Sequence, residues 1–342
     1  MGSGQSVQEV GHSYGLQEAL TRFSECLAPP PAFYKRSSTA VQELFQLLQQ
    51  SRGDVVSVMI GGSVGRRTAM ITNPFDGTEN KTLPEIDAVV FIKDQEAPFR
   101  GRLAEFDEIF RSEKTLKTST IENKSIDASH IRIEYKGFTI NVYPATYQLA
   151  TNSNSTKAND LLLLTKISEA VPSSSPRLAS LMYKSSLEQS SVRFFEAQSP
   201  FTKSVIRLAK FWVDQINFQG RNVYSKAYLV ECLACHATMN ASDEEDIAKG
   251  FETFLGLMTN FSNIQANIGK VELPNYLNQV KTILLDPVNP YNNLAEQVPF
   301  VIERFEQAAS STLEKIRNFK DYTIGVEELR SMVDVAKMIS PV

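Results

Sequence analysis

The period of the hydrophobic positions changes near residue 150. Before it, short apolar runs of strand type alternate with amphipathic stretches; after it, nearly every apolar position recurs at helical spacing. Residues 1–30 are a polar lead-in ending in the stiff run APPPAF. Over 33–52, Val41, Leu44, Phe45, Leu47 and Leu48 share one face and predict a long amphipathic helix. VVSVMI (55–60) and IDAVVFI (86–92) predict two buried strands, and GRLAEFDEIFRSE (101–113) a helix. HIRIEYKGFTINVYP (130–144) alternates on both sides of Lys136-Gly137 and predicts a hairpin with a two-residue turn. TNSNSTKAND (151–160) predicts a polar loop. Helices are then expected over 178–195, 201–217, 225–238, 244–259, 273–284, 296–318 and 325–339. No internal repeat is visible. The pattern divides the chain into a lead-in (1–30), a mixed sheet lobe with a long spine helix (31–150) and a helical lobe (151–342). A bilobal α+β protein of this kind binds its ligand in the cleft between lobes.

Composition changes this picture little. The 342 residues are 42% hydrophobic and 22% charged, as in an ordinary globular protein large enough to bury a sizeable core. A net charge of -4 argues against a strong nucleic-acid binder overall but not against a local basic patch. Three cysteines, Cys26, Cys232 and Cys235, do not make a disulfide scaffold and suit a reducing compartment. The opening MGSGQS matches an N-myristoylation signal over a few residues; a solvated tail is the simpler reading. No apolar run is long enough to span a bilayer. The expectation is a cytoplasmic protein without a membrane span, monomeric or weakly dimeric.

The candidate chemistry lies in VSVMIGGSVGRRTAMITNPFDGTENKTLPEIDAVVFI (56–92). Glu85 and Asp87, at i and i+2 on one strand, point to the same face. Magnesium needs hard oxygen ligands, and two carboxylates on one face supply them. A Gly61-Gly62-Ser63 turn after a strand offers backbone N–H groups and a hydroxyl to phosphate oxygens. An E-x-D pair alone is most often a solvated strand end, and a Gly-Gly-Ser turn most often only a turn. Their order between two apolar strands makes the combination specific for nucleotidyl transfer, in which a hydroxyl displaces pyrophosphate from an α-phosphate with divalent ions in attendance.

The run Gly61-Gly62-Ser63-Val64-Gly65-Arg66-Arg67-Thr68, followed by Glu85-Ile86-Asp87-Ala88-Val89-Val90-Phe91, resembles the 2'-5' oligoadenylate synthases and the cyclic GMP-AMP synthase-like receptors of the nucleotidyltransferase superfamily. The piece NPFDGTENKTLP makes the intervening loop longer than in the synthases. FTKSVIRLAKFWVDQ is similar to the synthases' basic helix, AYLVECLACHA to the helix after it, and LLDPVNPYNNLAEQ to their C-terminal D-P-x-x-P-x-N-N segment. The resemblance spans about 33 to 335. It implies the nucleotidyltransferase fold, ATP or GTP as substrate with Mg²⁺ or Mn²⁺, and a nucleotide second messenger of innate immunity as product. It assigns phosphate contacts to Gly62, Ser63, Thr68, Arg207 and Lys210, base stacking to Tyr228, and metal to Glu85 and Asp87.

The family's third metal carboxylate lies on a strand reading F-D-V-x-P-A. Here the matching stretch is Ile140-Asn141-Val142-Tyr143-Pro144-Ala145, with a neutral amide at 141. Three explanations stand: a natural replacement that makes the protein a slow enzyme or a non-catalytic sensor, an engineered trap, or a match displaced by one strand. If the hairpin turns at Lys136-Gly137, Arg132 lies opposite Asn141, and Glu134 is one pair along. Arg132 then stands where it can replace a cation, and Glu134 where it can serve as a displaced ligand; as an alternative, both are simply exposed strand residues.

The resemblance also implies an activating double-stranded RNA, ahead of DNA, read by shape and phosphates. Candidate contacts are Lys35, Arg36, Arg66, Arg67 and Lys203, each otherwise a solvated helix end. Cys232-x-x-Cys235-His236 matches a haem-attachment spacing, but it lies in an apolar helix, and the zinc insertion of vertebrate cyclic GMP-AMP synthase is missing. Neither zinc nor a disulfide is expected.

Overall fold

The computed structural model describes residues 12–72, 83–93, 99–113, 116, 119–123, 129–147, 156–170, 176–221, 223, 226–239, 246–269, 272–318, 322–324 and 328–341. The myristoylation match and most of the long loop after the glycine turn lie outside them.

Strand β1 (His12–Tyr14) and helices α1 (Leu16–Cys26) and α2 (Pro31–Ser51) lead into β2 (Val55–Gly61), the single turn α3 (Gly62–Gly65), β3 (Ile86–Lys93), α4 (Arg100–Ser112), β4 (Ser119–Asn123), β5 (Ser129–Tyr135) and β6 (Phe138–Tyr147). Then come α5 (Thr156–Ala170), α6 (Pro176–Met182), α7 (Glu188–Glu196), α8 (Pro200–Asp214), α9 (Lys226–Thr238) and α10 (Ile247–Met258). Strands β7 (Gln265–Asn267), β8 (Ile283–Asp286) and β9 (Asn289–Asn293) precede α11 (Ile302–Arg317), β10 (Tyr322–Ile324) and α12 (Glu328–Ile339).

The first lobe is a five-stranded sheet in the order β2-β3-β6-β5-β4, parallel only between β3 and β6. Phe33, Leu44 and Leu48 of α2 and Phe106 and Phe110 of α4 pack with Val90, Ile131 and Ile140 from the sheet. Lys136 and Gly137 both have positive φ, 51° and 79°, as a type I′ hairpin turn requires. That turn sets the register, and Arg132 pairs with Asn141 as expected. The second lobe surrounds Trp212, Phe251, Phe254 and Phe305, and Trp212 Nε1 donates to Thr312 Oγ1 at 3.0 Å. No helix among the described residues is long and apolar enough to cross a membrane.

Four expectations fail. Residues 1–30 are not only a polar lead-in: Ala19, Leu20, Phe23 and Leu27 recur at i, i+1, i+4 and i+8 and are buried in the core of the helical lobe. The helix expected over 273–284 is a short 3₁₀ turn, Asn275–Gln279, followed by β8. Pro274 stands at its start, and Ile283–Leu285 pair in parallel with β7, so sheet pairing overrides a weak helical period. The helix expected over 178–195 is broken at 183–187. There Ser185 Oγ donates to Pro144 O at 2.7 Å, and the Thr146 N–H donates to Ser186 Oγ at 3.0 Å. These two bonds dock the break onto β6 and bring the start of α7 to the glycine turn. Residues 156–160, expected in a loop, begin α5.

Candidate active site

One row of residues crosses the sheet in register: Gly61 of β2 beside Asp87 of β3, Asp87 beside Asn141 of β6, and Asn141 beside Arg132 of β5. The strand order thus collects at one level what the chain spreads over more than seventy residues. Glu85 precedes β3 by one residue and reaches the same point. The Asn141 side-chain N–H₂ donates to Glu85 Oε2 at 2.9 Å and to Asp87 Oδ1 at 3.2 Å. Arg132 Nη1 lies 2.8 Å from Glu85 Oε1. Asn141 is 3% exposed, and its Oδ1 is buried without a hydrogen-bond partner. Burial pushes the Asp87 carboxyl up from its ordinary value; the Asn141 bond pulls it the other way and the Glu188 charge adds to the rise. Glu134, expected as a possible displaced ligand, instead accepts a 2.6 Å bond from Thr139 Oγ1.

The glycine turn abuts this row. Gly62 has φ +57°, and a Cβ there would stand 1.9 Å from Asp87 Oδ2. Only glycine combines that backbone with so close an approach. Gly65 is equally constrained, since a Cβ would meet Ile60 O at 2.1 Å. Ser63 lies in α3, half-buried, and its carbonyl accepts the Thr68 N–H at 2.9 Å.

Two carboxylates from the helical lobe close over the turn. Glu188 Oε1, at the start of α7, accepts from the Gly62 N–H at 2.8 Å and from Arg66 Nη1 at 2.7 Å. Glu231 of α9 is fully buried. It accepts from Arg66 Nε at 2.9 Å, Lys210 Nζ at 2.8 Å and Thr68 Oγ1 at 2.9 Å. Burial alone would raise the Glu231 carboxyl, but Arg66 and Lys210 outweigh it and hold it below its ordinary value. Arg66 shows the mirror image: burial would lower it, and Glu231 and Glu188 raise it.

This network relocates several expected residues. Thr68, expected at phosphate, follows α3, is fully buried and bonds to Glu231. Lys210, expected at the triphosphate, is 6% exposed and also donates to Thr68 O at 3.0 Å. Arg66, expected at nucleic acid, is 7% exposed; a side chain held between two carboxylates does not present itself to a duplex. The Tyr228 ring lies 4.9 Å from the Arg66 guanidinium, and its hydroxyl donates to Asp286 Oδ1 at 3.1 Å, so one ring face is already covered.

The other expected cations are accessible to different degrees. Lys35 and Arg36 are exposed on the second turn of α2, with Arg36 stacked over Phe138. Arg67 is exposed at φ 61° and stacks over Tyr34 at 4.3 Å. Arg207 Nη2 donates to Arg67 O at 3.3 Å, and its Nε is buried without a hydrogen-bond partner. Burial lowers the Arg207 guanidinium from its ordinary value. Lys203 is half-buried and donates to Glu196 O at 2.9 Å; burial lowers it too, with Arg207 and Arg67 adding to the effect.

Sequence reasoning missed the roles of Glu188 and Glu231. Glu231 had a readable signal, because a lone acid inside LVECLAC must find a buried partner. Glu188 in SSLEQSS had none, since its position depends on the break at 183–187. Cys232 and Cys235 are buried in α9, and burial pushes both thiols up. No cluster of three or more His, Cys, Asp or Glu able to hold a metal occurs among the described residues.

Comparison with known proteins fits this geometry. Residues 173–328 match the family described as 2'-5'-oligoadenylate synthetase 1, domain 2, C-terminus. Human 2'-5'-oligoadenylate synthase 2 is 25% identical over 326 residues, 86% of this chain. The chain spans only 42% of that relative's length. Among solved structures, CdnC of E. coli MS115-1 in complex with HORMA-deltaN superposes with a TM-score of 0.61 at 16% identity, covering 98% of each chain. The mtPAP structure in complex with UTP gives 0.63 at 10% identity, covering 97% of this chain and 74% of that one. Residues 173–328 thus resemble an oligoadenylate synthetase C-terminal domain, and over nearly its whole length the chain shares the fold of the CdnC and mtPAP structures.

Proposed function

We propose that the protein is a nucleotidyltransferase that binds ATP or GTP at the sheet row and makes a nucleotide second messenger, 2'-5' oligoadenylate or a cyclic dinucleotide. The observation that carries this reading is the convergence of Glu85, Asp87 and Asn141 beside the Gly61-Gly62 turn. Glu85 and Asp87 would hold a divalent cation, Mg²⁺ or Mn²⁺, and the partnerless Oδ1 of Asn141 is a further oxygen available to it. Such an ion supplies charge neutralisation at the α-phosphate. Within the protein, Ser63 would orient phosphate oxygens; the Gly62 N–H is already given to Glu188, so Gly62 contributes the close approach of the backbone. Arg207 is the candidate contact to the triphosphate. Lys210 acts through Glu231, and Tyr228 is the candidate for stacking on a base. Exposed Lys35, Arg36 and Arg67, with Lys203, form the candidate contacts to duplex RNA, and such binding falls steeply with salt.

The second reading is a non-catalytic nucleotide sensor. One observation favours it: the Asn141 amide and Arg132 already occupy the carboxylates with positive hydrogen-bond donors. The experiment is pyrophosphate release from the four nucleoside triphosphates with Mg²⁺ or Mn²⁺ and duplex RNA or DNA, for the native chain and for Asn141→Asp. Product from the native chain establishes the enzyme, and the product names its class. Product only from Asn141→Asp places the native chain with the sensors. No product from either, with nucleotide still bound, makes sensing the function.

A further inference from the structure

Each carboxylate oxygen at the sheet row has an identifiable neighbour. Glu85 Oε2 and Asp87 Oδ1 converge on one point, where the Asn141 amide nitrogen stands. The other Glu85 oxygen, Oε1, holds the Arg132 guanidinium. The other Asp87 oxygen, Oδ2, lies against the Gly62 turn so closely that a methyl group does not fit between them. Two divalent ions side by side need carboxylates that use both oxygens, one toward each ion. Here the outward oxygen of Glu85 is committed to an arginine, and that of Asp87 is hemmed in by the Gly62 backbone.

The amide reports the remaining capacity. Asn141 is buried, its Nδ2 makes two bonds, and its Oδ1 makes none. A half-turn about the last side-chain torsion exchanges the two atoms. It puts Oδ1 at the convergence point beside Glu85 and Asp87 and breaks no bond on the far side. Three oxygens then face one position. Charge leads to the same count: Glu85 and Asp87 against the Arg132 guanidinium leave a single negative charge for metal, and Glu188, the next acid toward Asp87, is already committed to Arg66 and the Gly62 N–H. A second dication would sit beside Arg132 with no acid of its own, and like charges in a partly buried site repel strongly.

We propose that this site takes one divalent cation, at the point where Glu85, Asp87 and Asn141 converge, and that the Arg132 guanidinium is a built-in substitute for the second. Arg132 is suited to the place. It is always charged, its planar fork can hold a carboxylate and a phosphate at once, and its side chain is 33% exposed beside Glu85. The strand pairing that sets it opposite Asn141 makes its position a property of the hairpin. Its consequence is a nucleoside triphosphate site that keeps part of its affinity when metal is removed. The inference rests on the nucleotide reading above and deepens it.

The test counts ions and measures binding without turnover. Mn²⁺ bound per chain is read by electron paramagnetic resonance, alone and with a non-hydrolysable ATP analogue. Analogue affinity is measured separately in EDTA. The native chain is expected to hold one Mn²⁺, and the double variant Arg132→Ala/Asn141→Asp two. In EDTA, Arg132→Ala is expected to lose at least tenfold in analogue affinity and Arg132→Lys less. Arg132→Lys also stands in for the alanine variant should that fail to fold, since loss of the fork alone still weakens binding. Two Mn²⁺ of similar affinity on the native chain overturn the proposal, as does unchanged affinity in EDTA for both arginine variants. In those cases the nucleotide reading survives, because analogue still binds. If no variant binds analogue with or without Mn²⁺, the nucleotide reading falls and this inference with it.

Discussion

The protein holds two carboxylate centres on either side of the same glycine turn, and they are built in opposite ways. At the sheet row, Asp87 is half-buried with only an amide donor to its carboxyl and is pushed up. In the helical lobe, Glu231 is buried more completely but meets two cations and a hydroxyl, and is held down. Burial has the same sign at both, so the difference lies entirely in the partners. Asp87 is a charge left short of counter-charge, which is the state of a site waiting for a cation. Glu231 is a charge already satisfied, which is the state of a structural brace. Residue type does not separate the two roles; the count of donors around each oxygen does.

Neutralising each acid breaks the comparison most sharply. Asp87→Asn removes the centre that would hold metal, so pyrophosphate release is expected to fall at least about a hundredfold, as for loss of an electrostatic group at a reaction centre. Its melting temperature is expected to stay level or rise, because the native chain carries a poorly solvated charge there. Glu231→Gln does the reverse. It leaves Arg66 and Lys210 buried beside a neutral amide, a loss of about 3–5 kcal/mol by analogy with other broken buried pairs. Urea unfolding measures it directly. Equal stability for Glu231→Gln and native protein would show that Glu231 is no brace.

Acid titration separates the centres next. Glu231 has its folded-state value below its ordinary 4.5. Its stabilisation is therefore complete above that value and lost as pH falls through the folded one. Asp87 has its folded value above 3.8, so its ionised form costs stability, and that cost is relieved as pH falls through the folded value. The two slopes oppose each other, and each is limited to about 1.4 kcal/mol per pH unit. Between pH 4.5 and 3.8, Asp87→Asn is expected to lose stability more steeply than native protein, and below pH 4.5 Glu231→Gln less steeply. Parallel curves for all three proteins would mean that neither centre contributes in that range.

How far the sequence could be read follows the same divide. The sheet row was legible because everything in it is local or set by one turn. Alternation placed β5 and β6, Lys136-Gly137 set the register, and arithmetic across that turn put Arg132 opposite Asn141. The Gly-Gly-Ser turn and the E-x-D pair were legible as motifs. The second centre was hidden because it depends on contacts between lobes. Glu188 reaches Gly62 only because Ser185 and Ser186 break a helix against β6, and no periodicity announces a serine that hydrogen-bonds a distant strand. Lys210 and Thr68 stood on plausible motif positions, but their partner Glu231 comes from a helix whose register toward them depends on the packed core. Helix α1 was a different failure. Its apolar spacing was present in the chain, but the surrounding polar residues concealed it.

The smallest effect uses the thiols that share α9 with Glu231. Cys232 is adjacent to Glu231 in the chain and Cys235 is one turn on; both are buried and both thiols are pushed up by that burial, whereas Cys26 is exposed. A thiol reacts as its thiolate, so accessible Cys26 is expected to be modified by an aromatic disulfide reagent within the mixing phase. Cys232 and Cys235 are expected to react only as fast as the helical lobe opens. If Glu231 braces α9, Glu231→Gln raises the rate of those two thiols several-fold while leaving Cys26 unchanged. Asp87→Asn, which alters a centre on the sheet, leaves all three rates at native values. Acceleration in both variants would mean that the sheet row and the helical brace open as one unit, and that the two centres differ in chemistry but not in mechanical independence.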